Sequence, residues 1–202
     1  MRKLLLLTAF ILACAATSLA QSTDYNKVEF YGGYSYNSVD NNNQPDPDPV
    51  INSQFTDRTG FNGFETSIKG NITRYIGIKG DFSGHYNTRT FSFGVVPPFD
   101  VHSSLYNVLG GIEIKDNSTE ARFKPFVHAL VGIAHARTRT NSNLTVDITD
   151  SDTGLSGAFG GGLDIRASQR IDIRVITADY NPTRVFGETT NNFRIGAGIV
   201  IH

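Results

Sequence analysis

The sequence predicts an all-β protein, an eight-stranded antiparallel up-and-down transmembrane β-barrel. Three observations carry that prediction: between Val28 and Ile201 eight runs alternate apolar with polar residues, their connectors are alternately long and short, and no apolar stretch is long enough to cross a bilayer as a helix. A strand in lipid must satisfy its backbone hydrogen bonds on neighbouring strands, and closing the sheet removes both edges. One face of each strand then meets lipid and the other fills a narrow lumen.

Residues 1–20 read as a removed export signal, leaving 21–202 as a single barrel domain. Arg2 and Lys3 form a positive start, Leu4 to Leu12 a short apolar segment, and Ser18-Leu19-Ala20 a small-residue cleavage site before Gln21. The sole cysteine, Cys14, lies inside the leader, so cleavage leaves a chain without thiol or disulfide. Ile11-Leu12-Ala13-Cys14 also offers a competing lipobox reading, in which Cys14 becomes a lipidated N-terminus, though Leu12 fits that motif poorly.

Without the leader the chain keeps 16 basic against 19 acidic residues, a balance that gives no support for nucleic-acid binding. Mean hydropathy is −0.20, as expected when half of every strand faces a polar interior.

The first strand, Val28 to Val39, sets Val28, Phe30, Gly32, Tyr34 and Tyr36 against Glu29, Tyr31, Gly33, Ser35 and Asn37. A polar loop follows, with the Pro45-Asp46-Pro47-Asp48-Pro49 run that cannot join a ladder. The second strand, Phe61 to Ile72, turns Phe64, Thr66, Ile68, Gly70 and Ile72 outward and Glu65, Ser67, Lys69 and Asn71 inward. The third, Tyr75 to Arg89, places Ile76, Ile78, Gly80, Phe82 and Tyr86 opposite Lys79, Asp81, Ser83, His85 and Asn87. A longer connector, Phe91 to Asp100, holds Pro97-Pro98.

The fourth strand, Val101 to Lys115, turns Tyr106, Val108, Gly110, Ile112 and Ile114 outward and Asn107, Glu113 and Lys115 inward. Alternation weakens in the fifth, Arg122 to Arg139: Val127, Ala129, Val131 and Ile133 face lipid, yet Phe126, Leu130 and Ala134 fill the other face, which a bulge would reconcile. The sixth, Leu155 to Arg166, opposes Phe159, Gly161, Leu163 and Ile165 to Gly160, Gly162, Asp164 and Arg166.

In the seventh, Ile171 to Tyr180, Ile173 and Val175 oppose Asp172 and Arg174, while Asp179 falls on the wrong parity and suggests a bulge or the outer rim. After a loop from Asn181 to Thr190, the eighth strand closes the barrel with Phe193, Ile195, Ala197, Ile199 and Ile201 outward. Long connectors follow the odd strands and face outside; the short turns and both termini are periplasmic. A soluble lipocalin-like barrel is the alternative, but its interior would be apolar, whereas here the inward sets hold the charges.

Gly32-Gly33-Tyr34-Ser35-Tyr36, Gly160-Gly161-Gly162-Leu163-Asp164 and Asp179-Tyr180 make the chain resemble the outer membrane β-barrel family, of the type of the outer membrane protein A transmembrane domain and the opacity proteins. That resemblance implies residence in a Gram-negative outer membrane, with lipopolysaccharide and lipid around the wall and barrel-assembly machinery as partner during insertion. The chain departs from the family in ending Ile199-Val200-Ile201-His202 without a terminal aromatic residue. Tryptophan is absent, so any interfacial girdle must draw on residues such as Tyr36, Phe61, Tyr86, Tyr106 and Phe193.

Eight strands enclose a space that side chains fill. The inward charges Glu65, Lys69, Lys79, Asp81, Glu113, Asp164, Arg166, Asp172, Arg174 and Arg194 are nearly balanced in sign, and pairing spares each the cost of burial alone. The reading is a monomeric, mainly structural outer-membrane barrel plugged by those side chains. The alternatives are a porin-like channel for small solutes and surface adhesion through the outer loops.

A lipid-modifying enzyme is the weaker reading. His102-Ser103-Ser104 is the tempting cluster, but only His102 and Ser104 share a face and no carboxylate orients the histidine. Asp147, Asp150 and Asp152, with Asp46 and Asp48, could offer oxygens to calcium, yet the glycine and glutamate of a calcium loop are missing. No cofactor or metal is expected.

Overall fold

Period-two alternation becomes a wall with two chemically distinct faces. The computed structural model describes residues 25–41, 58–93, 96–141 and 148–202. The strands are β1 (Val28–Asp40), β2 (Arg58–Asn71), β3 (Ile76–Phe93), β4 (Val96–Lys115), β5 (Phe123–Asn141), β6 (Ile148–Arg166), β7 (Ile171–Val185) and β8 (Glu188–Ile201). Each pairs antiparallel with the next, and β1 pairs with β8 to close the barrel. The leader with Cys14, the proline run with Asp46 and Asp48, and Asp147 lie outside the described residues.

Neighbouring residues show the separation. Val108 is 54% exposed and Leu109, one position on, 3%. Phe64, Ile68, Ile76, Ile78, Phe82, Ile112, Phe159, Ile173, Val175, Ile195 and Ile199 are likewise exposed on the outer wall, and Leu163 is half-buried there. That arrangement excludes a soluble barrel with a greasy interior: the apolar band is outside, where hydrocarbon solvates it.

Three local expectations need correction. The segment Phe91 to Asp100 is not a long connector: β3 continues to Phe93 and β4 starts at Val96, so Pro97 and Pro98 lie in a strand. They are tolerated because β4 gains its β5 partner only from Asp100↔Asn141, which leaves one edge free at the prolines, and because on the other edge the β3 ladder shifts register there, between Phe91 and Phe93. Similarly, Asn181 to Thr190 is not a loop. β7 and β8 run up to a two-residue turn, Phe186-Gly187, with φ of 52° and 78°, the left-handed pair that a tight hairpin requires.

β5 contains no bulge. Its registers with β4 and β6 are unbroken, and Phe126, Leu130 and Ala134 are buried, so the interior itself turns apolar there, around Leu109, Leu130 and Ala158. In β7, of the two explanations for Asp179's parity, the bulge is the one present: Val175 and Ile176 together stand between Arg174↔Gly198 and Thr177↔Gly196. Both are exposed, and beyond them the parity reverses, which turns Asp179 to the axis.

The turns at 72–75, 116–122 and 167–170 lie at one end of the barrel, together with Lys27 and His202, the end that the sequence reading expects in the periplasm. Asn71 N donates to Lys27 O at 2.8 Å and His202 N to Arg170 O at 3.1 Å, tying the residues that flank β1 and β8 to these turns. Arg74 grips Asp116 across two turns, Nε to Oδ1 at 2.9 Å and Nη2 to Oδ2 at 3.1 Å, and this holds the Asp116 carboxyl down at about 2.

Candidate functional site

The axis-facing positions bring charges from successive strands into one chain of alternating sign. Arg174 of β7 binds Asp164 of β6, and Lys115 of β4 reaches Asp164 at 3.0 Å and Glu29 of β1. Glu29 meets Lys69 of β2 at 3.1 Å, which meets Glu113 of β4 at 2.8 Å. Glu113 meets Lys79 of β3 at 3.4 Å, and Lys79 lies 4.0 Å from Glu65 of β2.

Glu65 approaches Arg194 of β8 at 3.8 Å, and Arg194 ends the series on Asp81 at 3.0 Å and Asp179 at 2.7 Å. His128 of β5 joins the last strand to the network, with Nε2 2.9 Å from Asp179 Oδ1 and Nδ1 3.9 Å from Glu113. Lys124 and Asp172 form a separate pair at 2.8 Å near the periplasmic end. Every strand therefore contributes, and each charge is met by an opposite one in a water-poor interior, the condition under which buried ions are tolerable.

Of the ten residues expected in the lumen, Glu65, Lys69, Lys79, Asp81, Glu113, Asp164, Asp172, Arg174 and Arg194 are buried there. Arg166 is the correction: it sits half-exposed at the periplasmic rim, its Nε donating to Ser168 O at 3.4 Å, because it is the last residue of β6. Phe61, expected in the girdle, is buried on the axis side, while Tyr86 and Phe193 remain exposed on the wall.

Sequence reasoning left Glu29, Lys115, Lys124, His128 and Asp179 out of the set. Glu29 and Lys115 were legible by parity alone. Lys124 and His128 share the face of Phe126 and Leu130, whose hydrophobicity masked it, and Asp179 lies beyond the bulge.

Among the ions the lumen is also filled by uncharged side chains, with Leu109 directly opposite Asp81 in the β3–β4 register. Arg174 stacks on Phe126 at 4.0 Å and Tyr31 at 4.4 Å, and Leu109, Leu130 and Ala158 touch across the axis. Gly162 faces inward where a Cβ would lie 2.7 Å from the Phe126 ring, so that ring fits because β6 has no side chain there. Towards the mouth Ser156 Oγ donates to Asn107 Oδ1 at 3.0 Å and Asn181 Nδ2 donates to Ser156 Oγ at 3.2 Å. The cavity beside Glu29, Tyr31, Lys69, Glu113 and Arg174 has about 10 Å³, room for no more than one water.

The other clusters are differently used. His102 Nδ1 is 2.9 Å from Thr88 Oγ1 on the outer wall, and Ser104 Oγ donates to Arg137 O at 3.5 Å, so histidine and serine serve different partners. Asp152 accepts from the backbone N–H of Thr153 at 2.8 Å and from that of Phe186, which fixes the β7–β8 turn.

An apolar band outside and ion pairs inside a closed antiparallel wall define an integral membrane β-barrel. The chain belongs to the outer membrane protein beta-barrel domain family, which matches residues 6–200. Among solved structures it is similar to Ail, the attachment invasion locus protein of Yersinia pestis, in complex with the heparin analogue sucrose octasulfate. That match has 17% identity and a TM-score of 0.59, covering 87% of this chain and 98% of that one. It is also similar to Neisserial surface protein A, at 11% identity and TM-score 0.52, covering 89% and 99%. At such identities the likeness establishes the fold. No curated protein matches the chain in sequence.

Proposed function

We propose that this protein is a structural barrel of the outer membrane whose lumen is closed by its own side chains. The observation that carries the reading is the unbroken series from Arg174 to Arg194, with Leu109, Leu130 and Ala158 packed beside it: a passing ion would have to part several buried pairs and an apolar contact together. Eight strands give little spare width for such rearrangement. Purified, refolded protein in planar bilayers is expected to remain electrically silent, and steady conductance steps would refute the plug.

A second reading, recognition at the cell surface, is favoured by the β7–β8 hairpin. It presents Phe186, 47% exposed, at a left-handed position that a bulky side chain rarely takes. An apolar ring held outward at a rim tip is suited to contact a partner. Cell-binding assays comparing the wild type with Phe186→Asn test it, and equal binding would remove this reading.

A further inference from the structure

The mouth of the barrel, opposite the short turns, is more open than its middle. β2 and β3 share register only as far as Asn62↔Tyr86, although β2 stays on β1 up to Asp40↔Arg58 and β3 stays on β4 up to Phe93↔Val96. Side chains bridge the parting. Asn87 Nδ2 donates to Gly60 O at 2.7 Å and Arg89 Nη1 to Thr59 Oγ1 at 3.3 Å.

At that parting lies a pocket of about 270 Å³ whose lining includes Thr59, Phe61, Asn87, Arg89, Phe91 and Ser103. These residues stand on the mouth side of the buried ions, before Glu65 in β2 and Glu113 in β4 and after Asp81 in β3. Phe61 and Ser103 also line a second chamber of about 120 Å³, with Leu105, Val185 and Asn192. Together the two fall at the lower end of the roughly 300–1,000 Å³ range of small-ligand clefts, which suits one ring with a short substituent.

The lining specifies the chemistry of that ligand. Among the described residues Arg89 is the one charged group lining the outer pocket, and its planar fork matches a carboxylate. Phe61 and Phe91 bring phenyl rings, while Thr59, Asn87 and Ser103 set hydroxyl and amide groups around them. That mixture fits a ring that is apolar on one face and hydroxylated at its edge, as a sugar is.

The inner chamber adds an independent sign. Asn192 is fully buried; its Oδ1 accepts from the Asp40 N–H at 3.0 Å, but its Nδ2 meets no acceptor among the described residues. An unsatisfied buried donor is costly, and a carbonyl oxygen in the chamber would satisfy it. Leu105 and Val185 beside it suit a methyl group.

We propose that the mouth binds a single acidic sugar carrying an acetamido group. Its carboxylate lies on Arg89, its ring against Phe61 and Phe91, and its acetyl group passes Ser103 into the inner chamber, where the carbonyl accepts from Asn192 Nδ2. Occupancy is independent of whether the lumen conducts.

The test is isothermal titration calorimetry on the full refolded protein in detergent, with N-acetylneuraminic acid, its methyl ester and glucuronate as probes. The ester lacks the charge and glucuronate lacks the acetamido group, so each is expected to bind at least tenfold more weakly than the parent acid. Arg89→Gln should bind the acid no better than the ester. Asn192→Asp keeps the acceptor for the Asp40 N–H but loses the donor, and should weaken the acid at least tenfold while leaving glucuronate unchanged. Ser103→Leu, which fills the neck between the chambers, should do the same.

Heat-dependent gel mobility confirms that each variant is folded, and the three probes on the wild type keep the test decisive if a variant does not fold. Absence of saturable binding of the acid, equal binding of acid and ester, or wild-type affinity in folded Arg89→Gln and Asn192→Asp would overturn the proposal. Bilayer conductance is a separate readout: steady steps would refute the plug and leave the binding result standing.

Discussion

Arg174 and Asp164 meet across the β6–β7 pair through two parallel hydrogen bonds, Nε to Oδ1 at 2.8 Å and Nη2 to Oδ2 at 3.0 Å, immediately before the strands slip register. The bidentate grip fixes both strands where the ladder is weakest. Asp164→Leu would leave Arg174 buried beside Lys115 without its carboxylate, and a loss of about 3–5 kcal/mol is expected for a broken buried pair. Urea unfolding in lipid vesicles measures it. Asp164→Leu with Arg174→Met should recover most of the loss, since Lys115 keeps Glu29.

Leu130 is fully buried in the apolar contact inside the lumen. Leu130→Ala is expected to cost about 2–5 kcal/mol, the range for large-to-small changes in a packed interior. Because it opens a gap beside the ion pairs, bilayer recordings on this variant should show brief openings against a silent wild type.

The Arg74–Asp116 pair sets a pH response at the periplasmic end. Asp116 titrates at about 2, below its unfolded value, so its contribution is complete above about pH 4 and drains away as pH falls towards 2. In Arg74→Ala the Asp116 carboxyl should titrate near the ordinary aspartate value, which carboxyl NMR reads directly. The effect on stability is small, because both side chains meet water.

Phe186 holds φ of 52°, a conformation that favours asparagine or glycine. Phe186→Asn is therefore expected to stabilise the hairpin by about 1 kcal/mol, in the range of left-handed strain for a bulky residue. Amide hydrogen exchange at Val185 and Glu188 should slow. Unchanged or faster exchange would show that the ring contributes packing that outweighs its backbone.

Strand number, closure and the inward set on β2, β3 and β4 were legible because alternation there is uninterrupted. Val108 and Leu109, both apolar, were separable only through the phase of their neighbours. What misled the reading was polarity taken as loop: Pro97-Pro98 and Asn181 to Thr190 look like connectors, yet barrel strands continue past the membrane as hairpins where water satisfies one edge. Asp179 and His128 were hidden for opposite reasons, a shift of phase in β7 and an apolar interior in β5. Neither is a local property of the residues concerned.

The doubled position at Val175 and Ile176 works as a phase switch for the upper half of β7. Removing either residue would rotate everything from Thr177 to Val185 by half a period. Asp179 would then be delivered into hydrocarbon and Tyr180 driven onto the axis, with Arg194 stripped of its shortest ion pair. A single-residue deletion here should thus damage the protein far more than the loss of either side chain, and a compensating insertion farther along β7 should rescue it.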